Sequence, residues 1–334
     1  MLKAVMTLYR HRSLCLVTLF LFFPIFLSGC AIVNVPLFPS EQALQERVVE
    51  GKGNNKILLM DISGFISEEE RNTSVGLREG ISVVSEVKEA LKKAESDDAI
   101  RGLILRINSP GGTVTASDII HHELKLFKEK TGARITACLM DVGASGGYYV
   151  ATAADEIIAH PTTITGSIGV ITLRFNVEGL LSRIGIKEET VKSGDKKDIW
   201  SPFRPSTPEE RKIMQTIIDS LHQRFIGIVT DGRKSLTRKD VEKLADGRIY
   251  TSDQALEAGL IDRVGYLDDA VKRIKQLAGI ENASVITYYR PGSYKGSVYS
   301  ALPKAPPNII NLISINGQGL ITPPGVHFMY LWVP

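Results

Sequence analysis

Cysteine is scarce in this chain, with 3 in 334 residues. Cys15 and Cys30 lie near the N-terminus, so the body holds Cys138 alone, which excludes an intramolecular disulfide and a cysteine-based zinc site there. Histidine is also sparse, and the 6 residues include no helical pair with an intervening Glu that would suggest a metalloprotease-type site. His121 and His122 are adjacent, so on a helix they point about 100° apart and read as partly exposed side chains. An excess of one charge is missing too: 40 basic residues oppose 37 acidic ones, a net of +3, which gives no electrostatic basis for a nucleic-acid partner. Neither a Gly-x-Gly-x-x-Gly nor a Walker string occurs, so no nucleotide, metal or other cofactor is implied. No motif repeats, which points to one principal domain.

The 43% of hydrophobic residues, against 23% charged, is enough to bury a sizeable core. The first thirty residues differ from the rest. Lys3, Arg10 and Arg12 precede the apolar stretch Leu14–Leu27, which ends in Leu27-Ser28-Gly29-Cys30. That order is the pattern of a secretory signal. The apolar run is about 14 residues and contains Pro24, short of the ~20 needed to span a bilayer as a helix. Leu-Ser-Gly-Cys resembles the bacterial lipoprotein box, which implies lipid on Cys30 after cleavage; an uncleaved anchor is the alternative. Either tethers the body outside the cytoplasm. Residues 31–55, with Pro36, Pro39 and Gly51-Lys-Gly-Asn-Asn55, read as a tether.

From Lys56 the pattern alternates. Ile57–Ile62, Ile100–Ile107 and Arg134–Met140 are strand-like, and helical spacing separates them at Val83–Ala94 and Ile119–Phe127, the latter ended by Gly132. Such β, α, β order predicts an α/β fold with a mostly parallel sheet, helices on its faces and functional loops at the strand C-termini. Asp155–Ala159 and residues 188–193 are further strand candidates, and Thr165–Gly169 reads as a turn into Val170–Phe175. Thr207-Pro208-Glu209-Glu210 combines a cap, a first-turn proline and an acid, which starts a long helix whose apolar side (Ile213, Ile217, Leu221, Phe225, Ile228) is expected in the core. Shorter helices are expected at Thr237–Ala245 and within Thr251–Ala278. Beyond Arg290 prolines and glycines predict a mostly extended tail, with Phe328–Val333 a candidate strand.

Two glycine-bearing loops follow successive strands: Asn108-Ser-Pro-Gly-Gly112 and Gly143-Ala-Ser-Gly-Gly147. Ser145 could simply cap a helix in a close-packed turn. It could equally be a nucleophile, with the N–H groups of Gly112 and Gly146 receiving the oxyanion of an attacked carbonyl. A base is then needed. None of His160, His222 and His327 stands in a loop that composition marks as special, whereas Lys197 lies where the polar stretch Lys192–Asp198 turns apolar at Ile199-Trp200. A lysine serves as base only if it is kept from water, and spacing alone does not select Lys197 from a solvated surface lysine.

Five ordered segments decide the matter: Arg106–Gly112, Gly143–Tyr149, Thr165–Val170, Lys192–Pro202 and Asp246–Tyr250. Together they resemble the short signal peptide peptidase A family, serine proteases of the ClpP/crotonase superfamily, over about residues 56–280. The resemblance implies a ClpP/crotonase fold over 56–290, Ser145 as nucleophile, Lys197 as base rather than its neighbour Lys196, and Ser167 orienting that lysine. It further implies Gly112 and Gly146 as oxyanion donors, remnant signal peptides as substrates, and a ring-shaped homo-oligomer in which serine and lysine can come from neighbouring subunits. Residues 291–334 match no family motif and are left as a Pro/Gly-rich extension. Two other functions fit the same scaffold: a crotonase-like acyl-thioester enzyme, against which export argues, and a non-catalytic envelope scaffold.

Overall fold

A strand buried on both faces must be apolar along its whole length, and the runs near residues 57, 103 and 135 meet that condition. In the computed structural model, which describes residues 43–69, 71–72, 79–290 and 327–333, they form the centre of one sheet. In chain order the elements are β1 (Gln45–Gly51), β2 (Lys56–Ser63), β3 (Arg71–Asn72), β4 (Glu79–Gly80), α1 (Val83–Glu95), β5 (Ile100–Ser109), β6 (Gly111–Thr113), α2 (Val114–Thr131) and β7 (Arg134–Ala144). They continue with α3 (Gly146–Ala151), β8 (Glu156–Ala159), β9 (Ile164–Gly166), α4 (Glu178–Arg183), α5 (Pro208–Gly232), α6 (Arg238–Leu244) and β10 (Ile249–Thr251). The last are α7 (Ser252–Glu257), β11 (Arg263–Val264), α8 (Leu267–Ala278), β12 (Ser284–Tyr289) and β13 (Met329–Leu331).

The main sheet has the order β1-β12-β2-β5-β7-β8-β11, parallel throughout except for β1, and β9 continues beside the end of β7 with β10 antiparallel to it. Alternation along each strand divides the core. Leu58, Met60, Leu103, Leu105, Ile135 and Leu139 face α1, α2 and α3 on one side. Ile57, Leu59, Ile104, Cys138 and Ile158 face Leu267, Val271 and Ile274 of α8 on the other. Gly102 is needed for that second contact, since a Cβ there would come 2.7 Å from Ile274 Cγ1. The α/β architecture expected from the alternating pattern is the one observed.

Four expectations change. The end of the supposed tether is a strand: β1 pairs antiparallel with β12, and Lys56 Nζ donates to Glu46 at 2.9 Å. All its residues but the half-buried Val49 are exposed, so backbone pairing at a sheet edge holds it and no hydrophobic alternation announces it. Residues 188–193 belong to no strand, because no neighbour offers a ladder; Val191 is fully exposed. Within Val170–Phe175 only Ile171 makes a bridge, to Met329. The long helix has the expected capping box at Thr207 and Glu210, but it buries Phe225, Ile226 and Val229 while Ile213 and Ile217 stay exposed on its first half.

An ion pair between a buried guanidinium and a partly exposed carboxylate ties the end of α5 to the far side of the sheet. Arg233, at the end of α5, donates to both carboxylate oxygens of Asp262 at 2.7 Å, and Asp262 also accepts the Ile157 N–H at the start of β8. Removing the carboxylate leaves a buried guanidinium uncompensated. Because the carboxylate is partly screened by water, Asp262→Ala is expected to lower stability by about 1–2 kcal/mol in urea unfolding.

Candidate active site

The parallel pairing of β5 with β7 sets Ser109 opposite Gly143, so the loops leaving these two strands stand side by side. The loops and the groups around them stand so close that side chains are excluded at three glycines. A Cβ on Gly111 would lie 2.8 Å from Gly146 N, one on Gly112 1.9 Å from the Ile66 carbonyl oxygen, and one on Gly146 2.4 Å from Ser117 Oγ.

Ser145 sits between β7 and α3 at φ 51° and ψ −117°, in the N-cap position, yet its side chain makes no capping bond. Its Oγ is buried without any hydrogen-bond partner. The capping alternative thus fails. A positive φ at a non-glycine residue costs roughly 1–3 kcal/mol, and the surroundings enforce it here: Ser145 N–H donates to Gly166 O at 2.7 Å, and Ser145 O accepts from Tyr149 N–H at 2.8 Å. The next residue after Gly166 is Ser167, also at positive φ (50°) and nearly buried, its N–H given to Arg248 O at 2.7 Å. Ser145, Gly146, Gly112 and the Gly166-Ser167 turn therefore share one place. No histidine joins them, since Ser145 Oγ bonds to nothing among the described residues. Burial pushes the Cys138 thiol up to about 12, which leaves it inert on the opposite face.

Lys197 lies elsewhere. It is exposed, on a turn between α4 and α5, and does not reach Ser145 Oγ within the chain. Its two neighbouring lysines are occupied: Lys192 with Asp198 at 2.8 Å and Lys196 with Glu209. Cys30 and the segment Leu14–Leu27 lie outside the described residues. Among those that are described, no helix is long and apolar enough to cross a membrane.

The C-terminal strand was legible only as a candidate, and its position was not. β13 runs antiparallel to β6 with Tyr330 opposite Gly112. On its other edge Met329 exchanges both backbone hydrogen bonds with Ile171, at 2.9 and 3.0 Å. Val114 N–H donates to Phe328 O and Trp332 N–H to Pro110 O, a phase that turns the Tyr330 carbonyl toward Gly112 N–H. That carbonyl oxygen also comes 3.0 Å from where a Gly146 Cβ would stand. The Tyr330 ring is fully buried, stacked on Tyr149 at 5.0 Å and tilted against Phe225 at 4.6 Å, and its hydroxyl donates to Leu221 O at 2.9 Å.

A buried serine freed from capping, set between glycine loops at the C-terminal ends of a parallel sheet, is the framework of a serine hydrolase. Comparisons with known proteins narrow this. Residues 128–281 match Peptidase family S49 and residues 67–165 match Clp protease. A protein of Enterococcus faecium provisionally named signal peptide peptidase SppA is 37% identical over 256 residues, covering 77% of this chain and 73% of that one. Protease 4 of Salmonella typhi is 35% identical over 64% of this chain and 36% of its own length. The chloroplastic serine protease SPPA of Arabidopsis thaliana is 32% identical over 75% of this chain and 37% of its own. The chain belongs to peptidase family S49: it is a serine protease on a ClpP-like fold.

The turn bearing Lys197 depends on charge. Arg204 donates to Asp198 and to buried Glu210, and its bonds to Glu210, with the Thr207 N–H, bring the Glu210 carboxyl down from 4.5 to about 2. A lowered carboxylate stabilises the fold above its ordinary value and ceases to do so as the pH falls toward the folded one. In a Trp332→Phe background, Trp200 fluorescence should hold steady from pH 8 to about 5 and change between about 4.5 and 2. Glu210→Gln should abolish that transition.

Proposed function

We propose that this chain is a membrane-tethered Ser/Lys endopeptidase that cleaves short extended peptides, remnant signal peptides among them. Ser145 is the nucleophile. Lys197 of an adjoining copy, as free amine, takes the hydroxyl proton while Oγ attacks the peptide carbonyl, and Ser167 orients that amine. The N–H groups of Gly112 and Gly146 receive the oxyanion, a contribution of about 3 kcal/mol per donor. The C–N bond then breaks, the leaving amine takes the proton from lysine, and water hydrolyses the acyl-serine with the same lysine as base. Lipid on Cys30 would hold the enzyme to the membrane of a bacterial envelope, with the catalytic domain outside the cytoplasm.

The observation that carries this reading is β13, because a segment of the chain itself lies where an extended peptide would: paired on both edges, with a carbonyl turned to Gly112 beside Gly146. Main-chain pairing of this kind accepts many sequences, as removal of varied peptides requires. The separation of Lys197 from Ser145 within one chain supports a site completed by assembly. So does the cluster of exposed apolar side chains leading to the lysine turn, among them Phe175, Leu180, Ile184, Ile186 and Val191, which suit a ring interface with a second copy.

Cleavage of a short reporter peptide and covalent labelling by a serine-directed probe test the dyad. Ser145→Ala and Lys197→Ala should each retain the fold and lose cleavage by at least about 10³-fold; turnover by Ser145→Ala would end the proposal, while turnover by Lys197→Ala would end only the role given to that residue. A chain ending before Phe328 should show a lower KM for the same peptide, by about tenfold, with kcat little changed, since the groove then opens without displacement of β13.

A further inference from the structure

The described chain contains three non-glycine residues at positive φ: Ser145, Ser167 and Trp200. The first two belong to the proposed catalytic centre. Trp200, at φ 67°, stands three positions after Lys197, and a bulky side chain in that region is an outlier that persists only where its surroundings enforce it. Its indole Nε1 is moreover buried without an acceptor. Two local costs are thus carried by the turn that presents the lysine.

What enforces the turn is Arg204. Its guanidinium takes both the carboxylate of Asp198, at 2.8 Å through Nε and again through Nη2, and the Asp198 carbonyl at 3.1 Å. The other side of the same fork holds Glu210 at 2.6 and 3.0 Å. Glu210 is no mobile partner: it is almost fully buried and closes the capping box of α5 through the Thr207 N–H. Arg174 supports the far end of the turn, lying 5.6 Å over the Trp200 ring and donating to Ser201 O at 3.0 Å. The planar fork of an arginine can fix two carboxylates at once, which a lysine cannot.

We propose that Arg204 is a positioning residue for Lys197: it latches the residue next to the lysine onto the start of α5, so that the amine reaches an adjoining copy at a fixed place. This rests on the reading of Lys197 as base. The latch acts through backbone geometry. Lys192 and Lys196 are turned aside by their own acids, and while the Lys197 N–H donates to Gly194 O at 3.0 Å, its side-chain amine makes no ion pair or hydrogen bond among the described residues.

The test uses the full chain, sized by light scattering, with Arg204→Met, Glu210→Gln and Lys197→Ala beside the parent. Arg204→Met should lower kcat by at least about tenfold with KM within about twofold, slow labelling of Ser145 in parallel, and recover part of its rate in millimolar guanidinium. Glu210→Gln, which retains the capping bonds but not the charge, should lower kcat by about threefold. A parental kcat in assembled Arg204→Met overturns the inference, and should that variant fail to fold or assemble, a parental kcat in Glu210→Gln does the same. Loss of activity in Lys197→Ala together with full activity in Arg204→Met removes the latch alone, whereas full activity in Lys197→Ala removes the reading beneath it.

Discussion

Close approach of backbones is the constraint on which the site depends. Gly111, Gly112 and Gly146 meet neighbours at distances no Cβ tolerates, 1.9 to 2.4 Å in the worst contact of each. Those contacts are to the carbonyls of Tyr330 and Ile66 and the hydroxyl of Ser117; between the two loops themselves a Gly111 Cβ would lie 2.8 Å from Gly146 N, an approach set by the parallel register of β5 and β7, Ser109 with Gly143. Ser145 inherits its place from that contact. The chain turns too sharply for an ordinary residue, and the bond from its N–H to Gly166 fixes the side chain in a buried position where nothing satisfies it. A hydroxyl left without partners in a dry place is poorly suited to stability and well suited to reaction.

The molecule divides its labour by burial. Strands and helices behind the serine are packed on both faces, and rigidity there costs no function. The segment from Phe175 to Arg204 is built in the opposite way, with exposed apolar side chains and a turn held by ions. Ion pairs at a surface contribute little singly, but a fork that joins the mostly buried Asp198 to the fully buried Glu210 transmits the position of a long helix to a short turn. The lysine carried on this turn stays exposed while Lys192 and Lys196 remain paired.

Much of the fold was legible from residue pattern. Runs such as Leu103–Leu105 are apolar at consecutive positions because both faces are covered, and Thr207 with Glu210 announces the start of α5 wherever the helix then packs. β1 escaped detection because an edge strand exposed at every residue but Val49 has no period to read. Residues 188–193 misled for the converse reason: β-favouring side chains form a strand only where a neighbour supplies the ladder. Ile213 and Ile217 have the spacing of core positions, and spacing cannot say whether the surface they meet belongs to the same chain.

For the candidate site the division is sharper. Local sequence determined that a serine would follow a strand among glycines, that a second glycine loop would follow the preceding strand, and that lysines would crowd one polar turn, since these depend on neighbours a few residues apart. Tertiary structure decided that Ser145 would leave its helix uncapped, that Gly166-Ser167 would lie against it, and that β13 would enter the groove from more than 150 residues away in sequence, as a strand beside Gly112. The physical reason is that hydrogen-bond partners and burial are properties of what arrives from elsewhere in the chain.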